Sequence, residues 1–230
     1  MDDIRIIELK ESVIRDNDEE AEVLRRELKK NGTCLVNLMS APGSGKTSMI
    51  LALREFLEGK LRWGVMEADI DSDVDAGTLF SAEIPAVQLH TGGMCHLDAG
   101  MTRQGIEALE SEYKDNDGFD LIFLENIGNL VCPAEFDTGA AFNMTILSVP
   151  EGDNKPLKYP LMYEKCDIMA VNKIDTLPVF DFDRQKAEQY AKLRNPELKI
   201  FYISAGTGEG IKALAEEIIN RVNNWNRRGQ

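Results

Sequence analysis

The chain has 230 residues, enough for one α/β domain, and its 43% hydrophobic and 29% charged residues are typical of a folded globular protein. Twenty-six basic residues against forty acidic ones give a formal net charge of −14. A surface this acidic repels a phosphate backbone and an anionic membrane, so we expect no nucleic-acid partner and no membrane partner. The N-terminus lacks a basic start before an apolar run, and no apolar run reaches the length of a membrane span. The expected location is therefore the cytoplasm.

The N-terminal part of the chain, residues 1–32, is predicted to be a helical lead-in to one domain that covers residues 33–230. Apolar side chains at helical spacing predict a helix over residues 16–30, with Asp16 or Asn17 as its N-terminal cap. The apolar stripe consists of Ala21, Leu24 and Leu28.

Short apolar runs and amphipathic stretches alternate along the rest of the chain, which predicts an α/β fold with a mostly parallel sheet and helices on both faces. The predicted strands are 33–39, 63–67, 86–89, 121–124, 144–149, 168–171 and 200–203. The predicted helices are 48–57, 97–113, 183–193 and 210–224.

A glycine-rich turn over residues 40–47 connects the first predicted strand to the next helix. It has the spacing of a Walker A phosphate loop, except that Ser40 stands at the place of the first glycine. In such a turn successive backbone N–H groups converge on phosphate oxygens, while Lys46 reaches the β- and γ-phosphates and the Thr47 hydroxyl binds Mg²⁺. The predicted phosphate-binding residues are Gly43, Ser44, Gly45, Lys46, Thr47 and Ser48. The chain therefore contains a P-loop NTPase motif.

The sequence Asn-Lys-Ile-Asp at residues 172–175 follows a predicted strand, where ligands of open α/β sheets bind. Asp175 can accept hydrogen bonds from the N1–H and 2-amino groups of guanine, which adenine lacks. Asn172 is expected to touch the other edge of the base, and the Lys173 stem to cover its face. Backbone groups at Ser204 and Ala205 could bind the guanine oxygen. The predicted nucleotide is GTP or GDP.

Acidic residues at two strand ends are candidates for binding Mg²⁺ or orienting the attacking water. Glu125 has the place of a Walker B acid, and Gly128 shortly after it could sense the γ-phosphate. The acidic loop 67–75 offers Asp69 and Asp75, between which the sequence does not choose, and its other aspartates are interpreted as solvated. The candidate catalytic residues are thus Lys46, Asp69, Asp75 and Glu125.

Three blocks of sequence, residues 93–99, 125–134 and 151–160, together closely resemble the hydrogenase nickel-incorporation GTPases of the HypB family. The resemblance covers about residues 30–215. It implies a SIMIBI-class P-loop GTPase that binds Mg²⁺ and forms a homodimer whose formation depends on nucleotide and metal. It also implies an accessory nickel-insertion protein and a hydrogenase large-subunit precursor as partners.

The same resemblance implies that Cys95, His96 and Cys132 are metal ligands for Ni²⁺ or Zn²⁺, both of which accept thiolate and imidazole. Three ligands are too few for a closed tetrahedral site, so a second subunit or water must supply the rest. From the residues alone, the two cysteines could equally be small core residues and His96 a helix-cap donor. Cys34 and Cys166 are expected to be structural.

The predicted function is a GTP-hydrolysing nickel metallochaperone in the maturation of [NiFe]-hydrogenase, with metal binding coupled to the nucleotide state. A related GTPase that serves urease or a cobalamin-dependent mutase is an alternative, although Cys95-His96 with Cys132-Pro133 is not expected there. A P-loop kinase is a second alternative, but it would need no guanine-reading motif. Simple metal storage is disfavoured, because the chain has only two histidines.

Overall fold

The computed structural model describes residues 9–69, 74–114 and 117–227, with side chains from residue 13 onwards except those of residues 74–76. Its strands are Cys34–Ser40 (β1), Trp63–Asp69 (β2), Ala86–His90 (β3), Leu121–Glu125 (β4), Phe142–Ser148 (β5), Ile168–Asn172 (β6) and Lys199–Tyr202 (β7). Its helices are Leu9–Asn31 (α1), Lys46–Leu57 (α2), Val74–Ser81 (α3), Ala99–Glu112 (α4), Cys132–Glu135 (α5), Lys155–Lys158 (α6), Pro160–Glu164 (α7), Arg184–Arg194 (α8) and Ile211–Arg227 (α9).

The seven strands form one sheet in the order β3-β2-β4-β1-β5-β6-β7, and all neighbouring strands run parallel. The first strand lies in the centre, between β4 and β5. The carboxyl ends of β1, β4, β5 and β6 therefore meet along one edge, where ligands of doubly wound sheets bind. The predicted α/β fold with a parallel sheet is confirmed.

Helices cover both faces of the sheet, which explains why its central strands are continuous apolar runs. All seven residues of β1 are buried. Val36 and Leu38 pack in a cluster with α2 and α9, whereas Leu35 packs with α1 and α4 on the other face. The same alternation continues in β5 and β6, where α7 and α8 cover the second face.

Helix α1 is longer than its apolar stripe predicts. Its described part begins at Leu9 rather than at residue 16, because Glu, Lys and Arg favour a helix even outside the apolar stripe. The prediction that Asp16 or Asn17 caps this helix is therefore wrong, and Asn17 is a buried interior residue. Leu24 packs in the hydrophobic cluster that also contains Leu35 of β1.

Several shorter helices are absent from the sequence prediction, because four to eight residues are too few to show a helical period. They are α3, α5, α6 and α7. Helix α4 begins at Ala99 because the Asp98 side chain accepts a hydrogen bond from Met101 N, which fixes the N-cap. Within the described ranges, no helix combines the length and apolarity needed to cross a membrane.

Candidate functional site

The phosphate loop directly follows β1, so it lies at the carboxyl ends of the central strands of the sheet. Helix α2 begins at Lys46, so its first N–H groups, which have no partner within the helix, face this edge, and Ser48 is exposed on the same turn. Gly45 has a φ of +95°, and a Cβ there would lie 2.6 Å from Asn172 Nδ2. Only glycine fits this position, because the backbone conformation and the close approach both exclude a side chain.

The predicted phosphate lysine, magnesium ligand and Walker B acid lie together. Thr47 Oγ1 donates a hydrogen bond to Glu125 Oε1 at 2.8 Å, and Lys46 Nζ lies 3.9 Å from the same oxygen. Glu125 is buried at the end of β4. A buried carboxylate beside a cation and a hydroxyl is the arrangement expected where Mg²⁺ and a phosphate bind.

The remaining acidic candidates are less closely defined. Asp69 ends β2 and is half-buried. Asp75 lies in α3, but its side chain falls outside the described part of the chain, as do residues 70–73. Sequence reasoning passed over Glu67, which is 3% exposed and pairs in register with Glu125 of the neighbouring strand. The signal in the sequence was a glutamate inside an otherwise apolar strand, because burying an ionised group is costly unless it is paired or binds a ligand.

Asp175 lies beyond the end of β6 and is exposed, so a base can reach its carboxylate. Its Oδ1 accepts a hydrogen bond from the buried hydroxyl of Ser204 at 2.5 Å. Ser204 Oγ in turn accepts a hydrogen bond from Thr207 N at 3.1 Å. The loop after β7 therefore fixes the orientation of the predicted guanine-reading carboxylate.

Asn172 connects three loops of the site. Its Nδ2 donates to Ser44 O at 2.9 Å, and its Oδ1 accepts from Lys173 N at 2.8 Å and Ala205 N at 3.1 Å. Lys173 Nζ donates to Gly43 O at 2.7 Å. Contact of the Asn172 carboxamide with the base stays a prediction, and in this structure the group joins the Asn-Lys-Ile-Asp segment to the phosphate loop. The Ala205 N–H is directed to Asn172.

Glu151 is a second residue that sequence reasoning did not single out. Its Oε2 accepts hydrogen bonds from Ser44 Oγ at 2.8 Å and from the N and Oγ of Ser148 at 2.9 and 2.7 Å. Lys155 Nζ lies 3.8 Å from Oε1. This carboxylate ties the end of β5 to the phosphate loop. The signal in the sequence was its position in the 151–160 block, which only the resemblance to the HypB family marks as functional.

Two of the three predicted metal ligands are in direct contact. Cys95 lies in the loop between β3 and α4, and Cys132 is the first residue of α5. The Cys95 thiol donates to Cys132 Sγ across 2.8 Å. This hydrogen bond, together with burial, raises the pKa of Cys95. A soft divalent ion that binds here must displace the thiol protons, so metal affinity will increase with pH.

His96 is placed beside this pair but does not complete a three-ligand cluster. Its ring stacks on Phe136, with 3.7 Å between the ring centres, and within the described ranges its buried Nδ1 has no hydrogen-bond partner. Burial lowers the pKa of His96, which favours the neutral imidazole that metals bind. Among the residues whose side chains are described, no group of three or more His, Cys, Asp or Glu is arranged to hold a metal ion. The sulfur pair therefore needs further ligands.

The other two cysteines are structural, as expected. Cys34 lies within β1 and Cys166 lies just before β6, and both are buried. Burial raises the pKa of Cys34 to about 12 and also raises the pKa of Cys166. Buried protonated thiols of this kind behave as small apolar side chains.

The segment between Glu125 and Cys132 connects the phosphate loop to the sulfur pair. A Cβ at Gly128 would lie 3.0 Å from both Cα and Cγ of Pro42 in the phosphate loop. Cys132 follows Gly128 by four residues. Three residues therefore separate the glycine that approaches the phosphate loop from the sulfur pair.

Comparison with known proteins agrees with this architecture. A family model described as the CobW/HypB/UreG nucleotide-binding domain matches residues 34–202. The hydrogenase maturation factor HypB of Azotobacter chroococcum is 42% identical over 209 residues, which are 90% of this chain and 66% of that protein. The chain thus spans about two thirds of the length of this relative.

Two relatives from Helicobacter are matched over more of their length. The hydrogenase/urease maturation factor HypB of Helicobacter hepaticus is 35% identical over 92% of this chain and 86% of its own. The crystal structure of HypB from Helicobacter pylori in complex with nickel is 34% identical, with a TM-score of 0.85 over 91% of this chain and 96% of that one. The chain therefore belongs to the CobW/HypB/UreG family of nucleotide-binding proteins and, within it, to the HypB group.

Proposed function

We propose that the chain is a GTP-hydrolysing nickel metallochaperone that acts in the maturation of [NiFe]-hydrogenase, and that its metal binding is coupled to its nucleotide state. The observation that carries this proposal is the contact of Pro42 with Gly128, four residues before Cys132, whose sulfur lies 2.8 Å from that of Cys95. Phosphate loop and sulfur pair are thus joined by one short segment of a nucleotide-binding domain.

The nucleotide part of the proposal assigns GTP and Mg²⁺ to the edge of the sheet. The Thr47 hydroxyl and the Glu125 carboxylate are hard oxygen ligands that already lie together, so their chemistry fits Mg²⁺, which would neutralise phosphate charge there. Lys46 would stabilise charge on the transferred phosphoryl group. Asp69 or Asp75 would orient the attacking water, while Asp175, held by Ser204, would select guanine.

The metal part of the proposal assigns a soft divalent ion to Cys95 and Cys132, with His96 as a third ligand after movement of its ring. Nickel is the cargo that we favour over zinc, because the Helicobacter pylori relative was crystallised with nickel. Water or the same residues of a second copy would complete the coordination, which makes a homodimer the working unit.

The client enzyme is proposed from the relatives. Those from Azotobacter are named hydrogenase maturation factors, which supports a hydrogenase large-subunit precursor and an accessory nickel-insertion protein as partners. The Helicobacter relatives are named hydrogenase/urease maturation factors, and this favours urease as a second candidate client. A cytoplasmic location stays a prediction from the sequence.

Coupling between the two sites is tested by measuring nickel affinity in two nucleotide states. With a competing chelator, Ni²⁺ affinity should differ between the GDP and GTPγS forms by about 5–150-fold, because coupling between two binding sites is typically worth about 1–3 kcal/mol. Added Ni²⁺ should change nucleotide affinity by the same factor, since binding linkage is reciprocal. A parallel titration with Zn²⁺ compares the two candidate ions.

The controls separate the metal site from the nucleotide site. Cys95→Ala and Cys132→Ala should each remove the difference in nickel affinity and leave GDP binding intact. Cys166→Ala should retain the difference, because that thiol is buried elsewhere in the core. Equal nickel affinity in both nucleotide states would mean a static metal site. Binding of adenine nucleotides as tight as that of guanine nucleotides would favour the kinase alternative.

A further inference from the structure

Asn17 is a polar residue on the apolar side of α1. It continues the stripe formed by Ala21, Leu24 and Leu28 one turn towards the N-terminus, and it is only 7% exposed. A carboxamide at such a position is costly unless hydrogen bonds satisfy both of its ends. The contacts of this side chain therefore account for its presence.

Both ends of the Asn17 carboxamide bind backbone groups outside α1. Its Oδ1 accepts a hydrogen bond from Ala99 N at 2.9 Å, and its Nδ2 donates to Asp137 O at 2.9 Å. Ala99 begins α4 three residues after His96. Asp137 directly follows Phe136, the ring on which His96 stacks. One side chain thus joins the segment that carries Cys95 and His96 to the segment that carries Cys132.

Arg25, two turns further along α1, strengthens the attachment of the second segment. Its Nη2 lies 2.6 Å from each carboxylate oxygen of Asp137, and its Nε donates to Ala140 O at 2.9 Å. Asp137 is thus bound to α1 through its main chain and through its side chain. The segment after Cys132 is fixed relative to this helix and not only to the sheet.

We propose that Asn17 is a positioning residue of the metal site, and this inference rests on the proposed metal-binding function. Cys95 and Cys132 are 37 residues apart in sequence and follow strands β3 and β4, which are not neighbours in the sheet. The Asn17 bridge fixes the spacing of their segments, and it holds Phe136 under the His96 ring. Helix α1 is then part of the working site and not a lead-in to the domain.

The test compares Asn17→Leu, which keeps the branched shape of the side chain and removes both hydrogen bonds, with Leu28→Ala. Leu28 is a buried residue on the same stripe about three turns further along the helix, so its truncation should destabilise α1 while both hydrogen bonds of Asn17 remain. Three quantities are measured on the full chain. They are Ni²⁺ affinity by chelator competition, the midpoint of thermal unfolding, and the rate at which phenylarsine oxide bridges Cys95 and Cys132. The arsenical forms two As–S bonds and releases water, so it reports thiol spacing without nickel.

Residues that orient metal ligands typically contribute about 10–100-fold to metal affinity, and we expect Asn17→Leu to lower Ni²⁺ affinity by about tenfold. Arsenical bridging should slow by a similar factor, while Leu28→Ala retains both properties. The proposal would be overturned if the Ni²⁺ affinity and the bridging rate of Asn17→Leu both stay within about twofold of the parent values, well short of the expected tenfold loss. Equal losses in Leu28→Ala would overturn it as well.

Failure of the proposed function has a different signature. If Ni²⁺ binds the parent chain no more tightly than it binds Cys95→Ala, the assignment of nickel to the sulfur pair is wrong. The arsenical rates of the parent and Asn17→Leu still show whether Asn17 sets the spacing of the two thiols.

Discussion

At the scale of single residues, the proposed choice of base depends on Asp175, whose carboxylate is oriented by the Ser204 hydroxyl. The carboxylate is exposed beyond β6, while the serine hydroxyl behind it is buried and itself accepts a backbone N–H. A carboxylate in this position can accept two hydrogen bonds from guanine at once. The selectivity of the site should therefore follow the chemistry of this one side chain.

Replacing Asp175 with asparagine should weaken GTP binding by at least about 100-fold, because two hydrogen bonds to a charged group are each worth about 1.5–3 kcal/mol. The amide N–H donors of asparagine would oppose the 2-amino group of guanine but can donate to the C2 carbonyl of xanthine, so preference should shift to xanthosine nucleotides. Titration with fluorescent GDP and XDP analogues measures both effects.

Ser204→Ala is the matched control for this change. It removes the hydroxyl partner of Asp175 but leaves the carboxylate, so GTP binding should weaken without any gain of xanthosine binding. Unchanged GTP affinity in Asp175→Asn would remove Asp175 from the base site.

At the scale of elements, the segment that leads from β4 to α5 is the proposed connection between the nucleotide site and the metal site. It begins with the buried Glu125, passes Gly128 against the phosphate loop and reaches Cys132 at the start of α5. GTPase segments in this position become ordered around the triphosphate and relax after hydrolysis. A change at the phosphates would therefore reach this segment through the close approach of Gly128 to Pro42.

A methyl group at Gly128 should disturb this connection, because its carbon would lie 3.0 Å from two atoms of Pro42 and the backbone on one side must shift. We expect Gly128→Ala to weaken GTPγS binding. The difference in nickel affinity between GDP and GTPγS forms, about 5–150-fold for typical coupling, should shrink to about twofold or less. Chelator competition in both nucleotide states measures it.

Gly77→Ala provides the control for an added methyl group. Gly77 lies in α3, and a Cβ there meets nothing within 4 Å, so nucleotide binding and coupling should match the parent. Full coupling in Gly128→Ala would show that the signal takes another route to the sulfur pair.

At the scale of the whole molecule, net charge and exposed apolar side chains have opposite effects on self-association. Each copy carries a formal charge of −14, which makes two copies repel. Met94 and Val131, the neighbours of Cys95 and Cys132 in sequence, are exposed apolar residues, Val131 to 50%. A second copy could cover them while it supplies ligands to the metal. Association should then need metal, and salt should strengthen it.

Sizing of the purified chain with Ni²⁺ and GTPγS should give a dimer, and sizing without metal should give a monomer at low salt. Raising the ionic strength from about 0.05 to 0.5 M shortens the screening length to a few ångströms and should favour the dimer, because repulsion between the copies falls. Val131→Lys should prevent association.

Val179→Lys is the control for that variant, because it makes the same change of charge. Val179 is 81% exposed on the loop after β6 and is distant in sequence from the proposed metal ligands. A monomer under every condition would contradict the dimer proposal. A dimer in Val131→Lys would place the contact elsewhere.

Local patterns explain how much of this molecule could be predicted without coordinates. The apolar runs of β1, β4 and β6 predict strands covered on both faces, and the glycine-rich turn and the Asn-Lys-Ile-Asp sequence are recognised from fixed spacing. Each of these signals lies within a few consecutive residues, where backbone geometry alone limits the choices. The parallel α/β fold and the nucleotide-binding edge follow from them.

Contacts between distant segments were decided only by the tertiary structure. The register that sets Glu67 beside Glu125, the meeting of the Cys95 and Cys132 sulfurs, and the two hydrogen bonds of Asn17 all depend on which strands are neighbours and how helices cover them. Periodicity reports which face of an element is buried, but not what it packs against. Asn17 shows the difference, because a residue that resembles a helix cap in the sequence becomes, once α1 extends past it, a buried bridge between two remote loops.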